Sequence, residues 1–485
     1  MTGRRDPSQL TLEDLDLAAE EMKEIYFNGA WISYLTCVFP NAEYVQPGTA
    51  EKKADSRRAY TDRVLYAHRA RPDEDAKGKR CFLSGEPATH LINRAQMPLI
   101  TGAAVLNFFP GSSGGFPIAG PYLTALQALP FGGRRAEGRI LLVHADSPEL
   151  TLTFARQYVR DNRKLISLAS AAMGWDGPHP ELDRAQAKKE KMPQVRFPRT
   201  LVVRDLMSAM LEQELEIEDS GFGSVTAYWL SNSGQGASLD LFDIPANLVS
   251  LFRRLGSPSL NYSWRRLLQS GWLRQKPVNP KNPAEPELPA RAGRSRNAVL
   301  EDLLQVYSGG SLDLRAGSRF VRRHLAGLLY LRDTSYRMPD WPLITVFMEE
   351  FFGMSPKRIE MIKDFADKLI ASIERSGKKK LIIELSYVRK AWEFRNLLLK
   401  ELRRDFTQHN DLLFTFEQYL GLFEDDDGAG LADWGLTRDL LMIRLFQLSH
   451  ERKLELKEFA AELENAESGD RDTRQLVGAT ADDEA

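Results

Sequence analysis

The sequence predicts an α+β N-terminal region, with a mixed sheet and helices, followed by an all-α C-terminal helical bundle. Three observations lead there. Short β-branched and aromatic runs at 138–143 and 222–230 alternate with helix-start signals. Prolines 277, 280, 283, 286 and 289 recur every third residue. Beyond 297 the apolar residues repeat at helical spacing, broken only by short joints.

Thr11-Leu12-Glu13-Asp14 resembles a capping box and opens a helix whose apolar positions continue through Trp31, Ile32 and Leu35, until Pro40 and Asn41. Residues 46–80 are polar and charged and read as loop. Gly138 to Val143 reads as a buried strand. Ser147-Pro148-Glu149 then supplies an N-cap, a proline at the first helical position and an acid in the first turn, for a helix to about Ala172. "FGSVTAYWL" and "LDLFDI" read as two further strands.

The proline stretch fits polyproline II, whose three-residue turn lines the rings along one face. Thirteen such residues span roughly 40 Å, so a stiff spacer between domains is expected there. The resulting organisation is 1–271 α+β, 272–296 linker, 297–467 helical bundle and 468–485 disordered tail. Asp340-Trp341-Pro342 and Ser355-Pro356 each start a bundle helix. Ile359, Ile362, Phe365, Leu369 and Ile373 share a face of the second, which Gly377 ends. Further helices are expected at 379–405, 411–424 and from 437.

Composition limits function. A hydrophobic fraction of 43% supports sizeable cores, and no apolar run is long enough for a spanning helix. Met1 to Leu10 lacks a signal-peptide core, and two cysteines, Cys37 and Cys81, do not make a disulfide scaffold, so a cytoplasmic protein is expected. With 65 basic and 67 acidic residues, any nucleic-acid surface must come from local charge segregation.

The glycine-rich stretch "NFFPGSSGGFPIAG", 107–120, lacks the lysine and Ser/Thr of a P-loop and the spacing of a dinucleotide fingerprint, and reads as a structural loop. His144 and Asp146 could form a general base with its orienting acid, the hydrolase or nuclease reading. No nucleophile elbow, HExxH or paired CxxC appears, and neither a metal nor a cofactor is expected. A non-catalytic helical adaptor is a third reading.

Nucleic-acid signals are broader. Lys188, Lys189 and Lys191 crowd one polar segment. Arg253, Arg254, Arg265, Arg266, Arg274 and Lys276 interleave with Tyr262, Trp264 and Trp272, which suits phosphate neutralisation with base stacking. Arg389, Lys390, Arg395, Lys400, Arg403 and Arg404 recur along one bundle segment. In "SNSGQG", 231–236, Asn232, Ser233 and Gln235 offer polar groups to base edges beside two glycines.

Three segments in order, "CFLSGEPATHLINRAQMPLITG", "NFFPGSSGGFPIAGPYLTALQALPFGGRRAEGRILLVHADS" and "YWLSNSGQGASLDLFDIP", resemble the large subunit of a type I CRISPR interference complex (Cascade). The branch often carries paired CxxC motifs. Here only Cys81 remains of the first pair, as in myxobacterial-type members. The resemblance covers about 80–245 and implies binding without a reaction. It implies recognition of the protospacer-adjacent motif (PAM) on duplex DNA, with Asn232, Ser233 and Gln235 in the PAM loop. It also implies contact with the guide RNA 5′ handle and R-loop stabilisation for a recruited helicase–nuclease. The implied partners are guide RNA, target DNA, Cascade backbone subunits and a small subunit. In related systems the last arises by internal translation of the large-subunit message; Met348, Met354 and Met361 are either candidate starts of that kind or ordinary core and surface methionines.

Overall fold

The computed structural model describes residues 6–26, 29–45, 50–100, 114–173, 197–213, 223–232, 236–272, 296–308, 312–325, 339–388, 390–409, 412, 414–423 and 434–454. They divide into two compact units. The first comprises residues 1–261 and 268–307, the second 262–267 and 308–485.

The first unit begins with α1 (Leu12–Tyr26). Thr11 Oγ1 accepts from the Asp14 N–H at 3.2 Å while Asp14 Oδ2 accepts from the Thr11 N–H at 3.0 Å, a reciprocal cap with aspartate in the return position. α2 (Gly29–Val38) follows. Met22, Tyr26, Trp31, Tyr34, Leu35 and Val38 form a core with Phe131, Ile140 and Leu230. The segment expected as loop contains α3 (Ala50–Leu65), rich in Ala, Lys and Arg. Helix propensity there outweighs the lack of an apolar stripe.

Among the described residues the expected α+β region carries two small antiparallel sheets. The small one pairs β1 (His90–Ile92) with β2 (Phe116–Ile118). After α4 (Gly120–Gln127) and α5 (Leu129–Gly132) come β3 (Arg134–Ala136) and β4 (Arg139–Ala145). α6 (Pro148–Met173) starts at Ser147, whose Oγ accepts from the Leu150 N–H at 3.2 Å. After α7 (Pro198–Gln213) come β5 (Val225–Ser231) and β6 (Ser238–Ile244), completing a sheet in the order β3-β4-β5-β6. Ile140 and Leu230 pair across β4 and β5 and bury into the α1–α2 core, while Leu141, Ala227 and Ile244 are buried elsewhere in the unit. α8 (Ala246–Gly256) follows, and then α9 (Asn261–Ser270), whose residues 262–267 belong to the second unit.

The residues on either side of the proline stretch lie together in the first unit. Trp272 bridges Asn297, Ala298 N–H donates to Gly271 O at 2.8 Å, and the Asn297 amide donates to Leu268 O at 2.9 Å. Both ends therefore meet within the first unit. Residues 273–295 lie outside the described set. α10 (Ala298–Val306), expected to open the bundle, packs on α7 of the first unit instead.

The described residues of the second unit are mainly helical: α11 (Leu314–Phe320), α12 (Trp341–Phe352), α13 (Pro356–Ser376), α14 (Lys380–Tyr387), α15 (Ala391–His409), α16 (Phe416–Phe423) and α17 (Trp434–Glu451). Asp340 and Ser355 accept at 3.4 and 3.3 Å from the N–H groups of Leu343 and Arg358, and Gly377 ends α13 at φ 68°. The five apolar residues predicted on one face of α13 are all buried. The helix expected over 379–405 is two helices. The backbone turns extended at Val388, whose carbonyl accepts from Arg438. No described helix is long and apolar enough to cross a membrane.

Candidate nucleic-acid interface

The bundle segment richest in basic residues separates into inward and outward side chains. Arg395 lies over the Phe423 ring, 4.7 Å from its centroid, and its Nε is buried. Arg404 bonds Glu401 and donates to Ser376 Oγ at 2.7 Å. Glu401 and Asp405 are themselves buried, and Asp405 accepts from Ser372 Oγ and Arg375, each at 3.0 Å. These inward groups lock α15 to α13. A buried carboxylate is tolerated only when paired and hydrogen-bonded in this way.

The outward stripe differs in chemistry. Trp392, Asn396, Leu399, Arg403 and Phe406 alternate by four and three residues, so they share one face of α15. Trp392 is 58% exposed and Phe406 51% exposed. Between them stand the exposed side chains of Asn396, Lys400 and Arg403, with Leu399 half-buried. Lys390 sits 5.9 Å from the Trp392 ring centroid. The rings lie roughly 21 Å apart along the helix at 1.5 Å per residue. A shallow groove lined by Val388, Trp392, Asn396, Leu397 and Lys400 runs beside the stripe, with Glu384 and Glu393 also on its wall. The groove wall thus sets two acids against Lys400, and Arg403 adds a cation three residues further along the stripe.

A second outward face lies on α9. Tyr262 is 76% exposed, and Arg265 and Arg266 are exposed three and four residues on, while Trp264 is buried against Phe347. Tyr262, Arg265 and Arg266 therefore present one aromatic-basic surface. Arg253 and Arg254 occupy the last turn of α8, the first half-buried and the second exposed.

Asn232 is buried, with 8% of its surface exposed. Its Oδ1 accepts from the Leu99 N–H at 2.7 Å, its Nδ2 donates to Val38 O at 3.2 Å, and its own N–H donates to Cys37 O at 2.8 Å. The carboxamide is thus engaged within the fold through both its oxygen and its nitrogen. Ser233, Gln235, Lys188, Lys189, Lys191, Arg274, Lys276 and Arg389 lie outside the described residues.

His144 and Asp146 are not joined as a base and its orienting acid. Asp146 Oδ2 accepts from the backbone N–H of Ser224 at 2.7 Å and from its hydroxyl at 2.9 Å, and these bonds hold the carboxyl below its ordinary range. His144 is exposed and makes no hydrogen bond among the described residues. Cys81 begins a turn closed by Gly85 N–H to Cys81 O at 2.9 Å, with Gly85 at φ 75°. Among the described residues no three His, Cys, Asp or Glu side chains gather as a metal site. Gly115 has a structural reason: a Cβ there would stand 2.8 Å from Ile92 O in β1. Met348 and Met354 are buried, and Met361 is half-buried.

Sequence reading singled out the charges of 389–404 without the rings that flank them. The alternating four-and-three spacing of Trp392, Asn396, Leu399, Arg403 and Phe406 was the available signal. No protein-family model, curated protein or solved structure matches the chain.

Proposed function

We propose that this chain binds nucleic acid without cleaving it, as the large subunit of a type I CRISPR RNA-guided surveillance complex. The observation that carries the binding is the outward stripe of α15. Two exposed rings bracket an amide and two cations. Stacking on exposed rings accepts any base, and neighbouring Lys and Arg track the backbone. The α9 face repeats that chemistry with Tyr262, Arg265 and Arg266. On this reading the stripe takes an unpaired strand, such as the one displaced when guide RNA pairs with its target.

The CRISPR assignment rests on the resemblance over 80–245 and carries the rest of the proposal. That includes PAM recognition, the guide 5′ handle, the backbone and small subunits, the helicase–nuclease and a cytoplasmic setting. Of the proposed PAM loop, Ser233 and Gln235 remain candidates, whereas Asn232 serves as a scaffold. Purification of the tagged full chain from its source cells tests the assignment. Co-purification with a short RNA of uniform 5′ end supports it. An assembly free of RNA and DNA contradicts it.

A further inference from the structure

α6 carries a surface that none of the sequence motifs marks. Arg156, Arg160 and Lys164 recur every fourth residue and are all exposed. They form a straight row over roughly 12 Å of helix. Arg163 flanks the row and is tied to Glu21 of α1. Neither Arg160 nor Lys164 forms a hydrogen bond or ion pair with the described residues. The nearby acid on the helix, Asp161, is engaged by Arg134. Arg160 and Lys164 therefore carry the positive charge of the strip, and Arg156 continues the row.

We propose that this strip holds the phosphate backbone of double-stranded DNA. The inference rests on the nucleic-acid reading above and adds a second, separate surface to it. Two observations select a duplex. The aromatic residues of this part of α6, Phe154 and Tyr158, are both buried, so the strip offers no ring on which an unpaired base can stack. The helix also packs on α2, α5, α7 and β4, so it cannot enter a groove and presents only its outer row. A duplex suits such a row, because its bases are already stacked and its phosphates face outward. Contacts of this kind position the nucleic acid and carry no sequence information.

The test uses the full chain and three probes: a mixed-sequence DNA duplex, the RNA duplex of the same sequence, and oligo(dT). Each is titrated over a salt series with wild type and with Arg160→Gln/Lys164→Gln. The double variant is expected to bind duplex DNA roughly tenfold more weakly, with the slope of log affinity against log salt reduced by about two. Its oligo(dT) affinity is expected to match wild type. Unchanged duplex affinity and slope, with wild type binding DNA, overturns the strip alone. A loss confined to the RNA duplex, or an equal loss on oligo(dT), also overturns it. Failure of wild type to bind any probe overturns the strip and the proposed function together. Both residues are exposed, and a matching thermal midpoint verifies that the variant folds.

Discussion

The backbone N–H of Leu99 donates to Oδ1 of Asn232 at 2.7 Å, joining positions 133 residues apart. Leu99 has φ 67°, in the left-handed region that a leucine enters at a cost of about 1–3 kcal/mol. The same carboxamide holds Val38 O at the end of α2. One buried side chain thus pins three stretches of the first unit where β5 ends.

Asn232→Ala leaves the Leu99 N–H and the Val38 carbonyl without this partner. The expected loss is about 2 kcal/mol of stability, measured by denaturant unfolding. A variant as stable as wild type that nonetheless loses duplex binding would return Asn232 to a reading role.

Asp205 gives a pH-dependent prediction. It is fully buried on α7, and burial pushes its carboxyl above the ordinary 3.8 despite the bond from Arg204. A raised folded-state value means the contribution is fully present below about the ordinary value and is lost as pH rises through the folded one. Asp205→Asn is expected to gain thermal stability relative to wild type at neutral pH and to lose that advantage in acid. A deficit equal at all pH values contradicts this.

Gly115→Ala is expected to cost about 1–3 kcal/mol, because the new Cβ meets Ile92 O and pushes β2 from β1. Gly114, with open space around it, is the control: its alanine variant is expected to match wild type by thermal unfolding.

Asp405→Ala removes the acceptor shared by Ser372 and Arg375. The expected loss is about 2 kcal/mol, read as a lower denaturation midpoint. Lys400→Gln, on the outward side of the same helix, is expected to leave that midpoint unchanged and to weaken nucleic-acid binding.

Local signals were legible in the sequence. Thr11, Ser147, Asp340 and Ser355 cap helices where their side chains predict, and Gly377 ends one, because a cap needs only residues within one turn. Long-range commitments were not legible. Asn232 looks like any loop amide until Leu99 and Val38 reach it. Nothing in the period-three prolines shows that Trp272 and Asn297, on either side of them, meet. In 389–404, charge alone did not distinguish Arg395, which covers Phe423, from Arg403, which faces outward. α3 was missed because its polar sequence shows no apolar period, although its residues favour helix.

The most direct test of the central claim is oligo(dT) binding by the full chain carrying Trp392→Ala and Phe406→Ala. At about 1–3 kcal/mol per stacked base, the double variant should bind at least about 30-fold more weakly than wild type, with an unchanged unfolding midpoint. Wild-type affinity in that variant would contradict the account.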